Sequence, residues 1–303
     1  MAAYLFAHFT TEKHGGEQVY FSVSRGGLHW QDLHGGQPVL RSGIGTMGVR
    51  DPFIVRHPLT GMYHLMATDL CIITCKDGWY GAKHTGSRDI TVWDSPDLVH
   101  WSPPRTVTVA PENAGCAWAP EAVWDQEKQA FFVFFAPYTE ENGETADTGK
   151  LRIYASYTKD FLTFTPSFRY IEHERSVIDT TIVWTDGIYY RFSKDEATKC
   201  IRVDKGDTLM ADFIPVQCPV LDAMMGLEGP ECYQLPDGRW CLICDQFAAR
   251  KGYLLIIIDD LRTMQPVLLR EDEYDFGRTL KRHGGVIRIE DNDYQRLINH
   301  YGI

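Results

Sequence analysis

At 303 residues the chain can hold one large all-β domain or two of ordinary size, and 44% apolar with 23% charged residues is the balance of a globular protein with a sizeable core, not of a disordered or fibrous one. A formal charge of −11, with no stripe of Lys or Arg to neutralise successive phosphates, excludes a nucleic-acid partner and favours an uncharged ligand. No run of about 20 apolar residues occurs, so no membrane partner is expected, and the segment Met1–Thr10 lacks the basic and apolar regions of a leader, which makes the cytoplasm the expected location.

In chain order, Tyr4–Phe9 reads as a strand, and five later segments share one pattern of alternating apolar residues, a polar turn and a short extended stretch. They are Val19–Trp30, Ile90–Trp101, Leu151–Phe164, Cys200–Leu209 and Tyr253–Met264, with starts 49 to 71 residues apart, the scale of a propeller blade with insertions. A hairpin precedes each from the second onward: Asp51–Val55 with Met62–Met66, Glu121–Trp124 with Ala130–Phe135, Asp179–Trp184 with Ile188–Phe192, and Glu228–Tyr233 with Arg239–Ile243. Asp186-Gly187 and Asp237-Gly238 are tight-hairpin turns. His283–Glu290 supplies a further inner strand, to be completed by outer strands from the N-terminus, so that the ring closes by mixing both ends and leaves no open sheet edge.

The pattern predicts a single all-β domain over 1–303, a five-bladed β-propeller whose ring is closed by N- and C-terminal strands, with a short C-terminal helix. That helix is Asn292–Tyr301, with Tyr294, Leu297, Ile298 and Tyr301 on one face. The insertions Cys71–Arg88 and Tyr138–Lys150 read as loops. Cys241 and Cys244 have the C-x2-C spacing, but no second pair accompanies them and they lie in an apolar strand. They read as buried reduced thiols, as do Cys71 and Cys75. Trp93-Asp94 does not recur blade by blade, which excludes a WD40 interaction propeller.

Inner strands line a propeller's channel, and on this scheme their first residues, Asp51, Glu121, Asp179, Glu228 and His283, hold one equivalent position around a shared funnel. Singly, an Asp-Pro or Glu-Gly-Pro is a turn. Together, clustered carboxylates repel one another and push their pKa values apart, which suits either a divalent cation or acid and base in glycoside hydrolysis. Phe53, Trp79, Tyr80, Trp118 and Tyr138 fall at loop or channel positions where flat faces can stack on sugar rings. Loops on the same face carry Asp69, Lys194, Asp195 and Asp245, and Arg278 precedes His283. Lys194 and Arg278 suit sugar hydroxyls best.

The ordered motifs Arg50-Asp-Pro-Phe-Ile, Trp118-Ala-Pro-Glu-Ala-Val, Val177-Ile-Asp-Thr-Thr, Glu228-Gly-Pro and Arg282-His-Gly, spread over nearly the whole chain, resemble glycoside hydrolase family 43, the five-bladed arabinofuranosidases, xylosidases and arabinanases. The resemblance implies an inverting mechanism with Asp51 as general base, Asp179 as the carboxylate that tunes and orients the acid, and Glu228 as general acid. Glu121 and His283 then line the channel, where His283 is the candidate holder of a Ca2+ ion or an ordered water; no other cofactor is expected. The implied substrate is an oligosaccharide or an aryl or alkyl pentoside. An exo-acting α-L-arabinofuranosidase leads, followed by a β-D-xylosidase or another pentosidase or galactosidase, and then by a non-catalytic glycan-binding propeller. Arg50, Glu121 and Thr180 depart from the commoner family residues Ala, Asp and Pro.

Overall fold

The computed structural model describes residues 3–141 and 143–303. The period-two segments pair as antiparallel four-stranded meanders, five in number. Blade I is Val49–Arg56, Tyr63–Asp69, Asp89–Ser95 and Arg105–Thr108; blade II is Trp118–Asp125, Ala130–Ala136, Ile153–Thr158 and Phe168–Ile171. Blade III is Val177–Thr185, Ile188–Asp195, Ile201–Gly206 and Ile214–Val216; blade IV is Glu228–Gln234, Trp240–Asp245, Tyr253–Ile258 and Pro266–Leu268. Blade V closes the ring as expected. Its inner strand, Arg282–Ile289, pairs antiparallel with Ala3–Phe9, followed outward by Tyr20–Arg25 and Trp30–Asp32.

The core is divided among the five seams between blades. Alternation feeds both neighbours of a blade from one strand: Phe131, Val133 and Phe135 pack toward Val92 of blade I, while Phe132 and Phe134 pack toward Ile182 of blade III. The closing seam holds Leu5, Phe21 and Val23 against Ile54, Leu65 and Trp93. The C-terminal helix, Asp291–Tyr301, seals that seam with Tyr294 and Leu297, and Asp293 accepts the Tyr63 hydroxyl at 2.8 Å.

Two insertions read as loops carry structure. Cys71–Arg88 contains the helix Gly78–His84, and Tyr138–Thr139 pairs with Lys150–Leu151 as a two-stranded ladder. Neither is long enough to show a period in sequence. Cys71 and Cys75 are only half-buried, because they belong to the insertion and not to a strand, whereas Cys241 and Cys244 are in the core. Among the described residues no helix is long and apolar enough to cross a membrane.

Candidate active site

Every inner strand carries the same irregularity near its start. In blade I, Arg50 pairs with Thr68 and Phe53 with Met66, so Asp51 and Pro52 together oppose Ala67. Trp118 to Glu121, Ile178 to Thr180, Glu228 to Glu231, and Arg282 opposite Phe9 repeat the slip. In four blades the bulged residue is left-handed, with φ of 50° at Asp51, 46° at Ala119, 49° at Asp179 and 52° at Gly229. Such a bulge turns a side chain that the pleat would send sideways toward the propeller axis.

The register sorts the inner strands into three tiers. The first is Arg50, Trp118, Ile178, Glu228 and Arg282; the second is Asp51, Ala119, Asp179, Gly229 and His283; the third is Phe53, Glu121, Thr181, Glu231 and Gly285. The five residues expected at one equivalent position therefore occupy three, since the sequence gives no mark for a one-residue slip. Glu228 stands one tier above Asp51, Asp179 and His283, and Glu121 one tier below. Gly229 is required by the fold, because a Cβ there would lie 2.6 Å from the His283 ring; Gly285 is required because Phe53 occupies the same space, 2.5 Å away.

The upper tiers open into a cavity of about 350 Å3 on the axis. Arg50, Trp118, Ile178 and Glu228 wall it, Asp51, Asp179 and His283 floor it, and Lys194 and Glu196 enter from blade III. Over one side stands the insertion helix with Trp79, Tyr80, Lys83 and His84, the Trp79 ring set edge-on to Trp118 at 6.1 Å.

Asp51 accepts a hydrogen bond from the Thr68 hydroxyl at 2.7 Å, and that hydroxyl in turn accepts from the Ala119 amide at 2.8 Å. His283 Nδ1 lies 3.4 Å from Asp51 and 3.7 Å from Asp179, and Nε2 lies 4.0 Å from Glu121. Burial alone would raise Asp51, but the charged His283 beside it, the Arg50 guanidinium and Thr68 hold it below the usual carboxylate range. Burial would lower His283, yet its carboxylates, Asp179 and Asp51 foremost, hold the ring protonated well above its ordinary value. Asp179, whose Oδ2 accepts the Gly229 amide at 3.1 Å, is raised by burial and by the charges of Glu228 and Asp51.

Glu228 is held by two cations: Lys194 at 2.9 Å on Oε2 and Arg282 at 2.8 Å on Oε1. Against the upward push of burial they lower it, so of these two neighbouring carboxylates Asp179 has the raised value and Glu228 the lowered one in the free site. Beneath the floor, Glu121 and Glu231 are buried together and both raised by that burial; neither Glu121 oxygen has a hydrogen-bond partner among the described residues.

Several predicted ligands fall elsewhere. Glu121 and Phe53 lie in the third tier, below the floor. Asp69 turns back to accept the Thr46 amide and hydroxyl at 2.8 and 3.0 Å. Asp195 caps the Ala197–Thr198 turn, Asp245 is buried behind Arg282, and Tyr138 supports the insertion helix with its ring against His84. Arg278 is exposed and joins the fold through its backbone amide, bonded to Asp32 at 3.0 Å. The structure adds Arg50, Thr68, Glu196, Glu231 and Arg282, to which the sequence motifs assign no role. The register alone would have found Glu231, as the mate of Glu121, and Arg282, as the mate of Glu228; nothing in the sequence marks Thr68.

The donor geometry argues against a cation bound through His283: both ring nitrogens face carboxylates, Asp51 and Asp179 on one side and Glu121 on the other, and among the described residues no three His, Cys, Asp or Glu side chains are grouped as a metal shell.

Fold and site together define a five-bladed propeller with a carboxylate-floored axial cavity. Residues 1–295 match the family described as a probable glycosyl hydrolase domain, related to glycoside hydrolase family 43, and the chain belongs to that family. It is 29% identical to an α-L-arabinofuranosidase of Bifidobacterium longum subsp. longum over 82% of this chain and 27% of that protein, so it spans about a quarter of the relative's length. A family 43 β-1,3-galactosidase solved with galactodeoxynojirimycin has the same fold, with a TM-score of 0.62 and 12% identity over 90% of this chain and 92% of that one. So does an endo-1,4-β-xylanase of Bacteroides thetaiotaomicron, with a TM-score of 0.60 and 15% identity over 93% of both chains.

Proposed function

We propose that this glycoside hydrolase is an inverting, exo-acting α-L-arabinofuranosidase with Asp51 as base and Glu228 as acid. The observation that carries the reading is that both residues, together with Asp179, line one axial cavity walled by Trp79 and Trp118. The insertion helix over one side supports release of a terminal sugar, and the named activity of the Bifidobacterium relative supports the arabinofuranosyl group.

In this mechanism a water between Asp51 and the anomeric carbon loses its proton to Asp51, which is anionic and oriented by Thr68 and His283. Glu228 gives a proton to the departing oxygen. Asp179 fixes the backbone next to Glu228 through the Gly229 amide and stabilises positive charge developing on the sugar ring. The imidazolium of His283 supplies the channel's positive charge, so chelator treatment is expected to leave turnover unchanged; loss of activity restored by Ca2+ would replace that role with an ion.

Assay on 4-nitrophenyl glycosides with NMR of the first-formed anomer tests the reading. Hydrolysis of the α-L-arabinofuranoside with inversion is expected; turnover of the β-D-xyloside alone, or retention, sinks it. The ion clamp on Glu228 favours a second reading, a propeller that binds glycans without cleaving them. Wild-type binding of arabinose-bearing oligosaccharides without hydrolysis of any aryl glycoside would establish that one.

A further inference from the structure

Each cation on Glu228 also holds a second carboxylate. Arg282 reaches Glu228 through Nη2 and Asp245 Oδ2 through Nε at 2.5 Å, while Lys194 Nζ reaches Glu228 and, at 2.6 Å, Glu196 Oε1. The result is an alternating chain, Glu196–Lys194–Glu228–Arg282–Asp245, running from the cavity rim to the buried wall of blade IV. The ladder builds it: Lys194 pairs with Ile178 in blade III as Asp245 pairs with Glu228 in blade IV, so both second-strand residues sit beside the first tier.

Asp245 does not line the cavity, is fully buried, and leaves Oδ1 without a hydrogen-bond partner among the described residues. A buried carboxylate with one cation for company is costly to keep, and contact with a sugar cannot be its role. Its partner is the guanidinium that grips the acid. Burial raises Asp245, opposed by Arg282 and reinforced by the charge of Glu228, as expected of a carboxylate sharing its cation with another.

We propose that Asp245 and Glu196 are positioning residues for Glu228. They share Arg282 and Lys194 with it, so that Glu228 can release its ion pairs and carry a proton when a glycoside fills the cavity. This rests on Glu228 being the acid. On binding, Glu228 takes one proton from solvent; Arg282 and Lys194 stay charged and shift toward Asp245 and Glu196, so neither is left unpaired. Glu228 then delivers that proton to the glycosidic oxygen as the C–O bond breaks. The other charges facing Glu228 are Asp179 of blade III, Arg50 of blade I and His283 of blade V. None of these meets Lys194 or Arg282 within ion-pair distance among the described residues, so none can serve as the alternative partner.

Removing the charge of Asp245 takes one repulsion off anionic Glu228 and leaves Arg282 to Glu228 and to the more distant Glu12, 3.7 Å from Nη1; both effects lower the proton affinity of Glu228. For Asp245→Asn the alkaline limb of kcat/KM on a 4-nitrophenyl glycoside should move down by about one pH unit, with about a tenfold loss at pH 7. A 2,4-dinitrophenyl glycoside, which needs no acid, should react at close to the wild-type rate. Glu196→Gln, at the solvent end of the chain, should move the limb the same way by less, and it carries the test should Asp245→Asn fail to fold. Glu228→Gln is run alongside. Equal losses on both leaving groups in Glu228→Gln would overturn the acid assignment and the inference with it. Leaving-group dependence in Glu228→Gln with an unmoved limb in Asp245→Asn and Glu196→Gln would overturn the inference alone.

Discussion

The two carboxylates assigned to the chemistry are held in opposite ways. Asp51 lies on the floor, fixed by a neutral hydroxyl and by one imidazolium that it shares with Asp179. Glu228 stands one tier higher, fixed by an ammonium and a guanidinium that each reach a further carboxylate. A base needs to be anionic at rest, and the floor provides that without mobile parts. An acid needs a proton, and the upper tier withholds it until its cations have somewhere else to go. One bulge, one residue of register apart, produces both environments.

The largest test of this contrast is removal of the groups themselves. Asp51→Ala should cost about a thousandfold or more in kcat/KM on every aryl glycoside, whatever its leaving group, whereas Glu228→Gln should approach that loss only on poor leaving groups. Similar leaving-group profiles for the two variants would erase the distinction.

His283→Gln comes next. The imidazolium lowers Asp51, so its loss raises Asp51 toward the value that burial favours, and the acidic limb of kcat/KM should climb by about two pH units. An acidic limb that stays below the usual carboxylate range in this variant would show that Arg50 and Thr68 suffice.

Gly229→Ala probes the geometry without touching a charge. The left-handed φ of 52° and the His283 ring 2.6 Å from the new Cβ should together lower stability by about 2 kcal/mol, read as a fall of several degrees in Tm. A neutral result would mean that the floor tolerates displacement of His283. Lys194→Met is the gentlest. It removes the foremost of the three cations, Lys194, Arg282 and Arg50, that depress Glu228, so the alkaline limb should move up by about one unit, opposite in sign to Asp245→Asn. A shift of the acidic limb instead would place the effect on the floor.

Much of this protein was legible before folding. Period-two segments at blade spacing, Asp-Gly turns and the Tyr294, Leu297, Ile298 and Tyr301 face of the last helix are local facts, and local backbone preference carries them into the structure intact. Asp51, Asp179, Glu228, His283, Trp79, Trp118 and Lys194, all named from sequence, do line one cavity. Asp69 and Arg278 do not: a loop residue's direction depends on what its loop packs against, and Asp69 found the Thr46 amide.

Sequence by itself determined the blade count, the closure by both termini and the identity of the charged residues near the axis, because these follow from pattern and order. Only the tertiary structure decided their tiers. A bulge that sets Glu228 above Asp51 and buries Glu121 and Glu231 below leaves the spacing of residues along the chain unchanged. The partners that fix each charge state, Thr68, Lys194, Arg282 and Asp245, come from neighbouring strands or other blades, and ionisation in a low-dielectric interior is set by what is nearest in space.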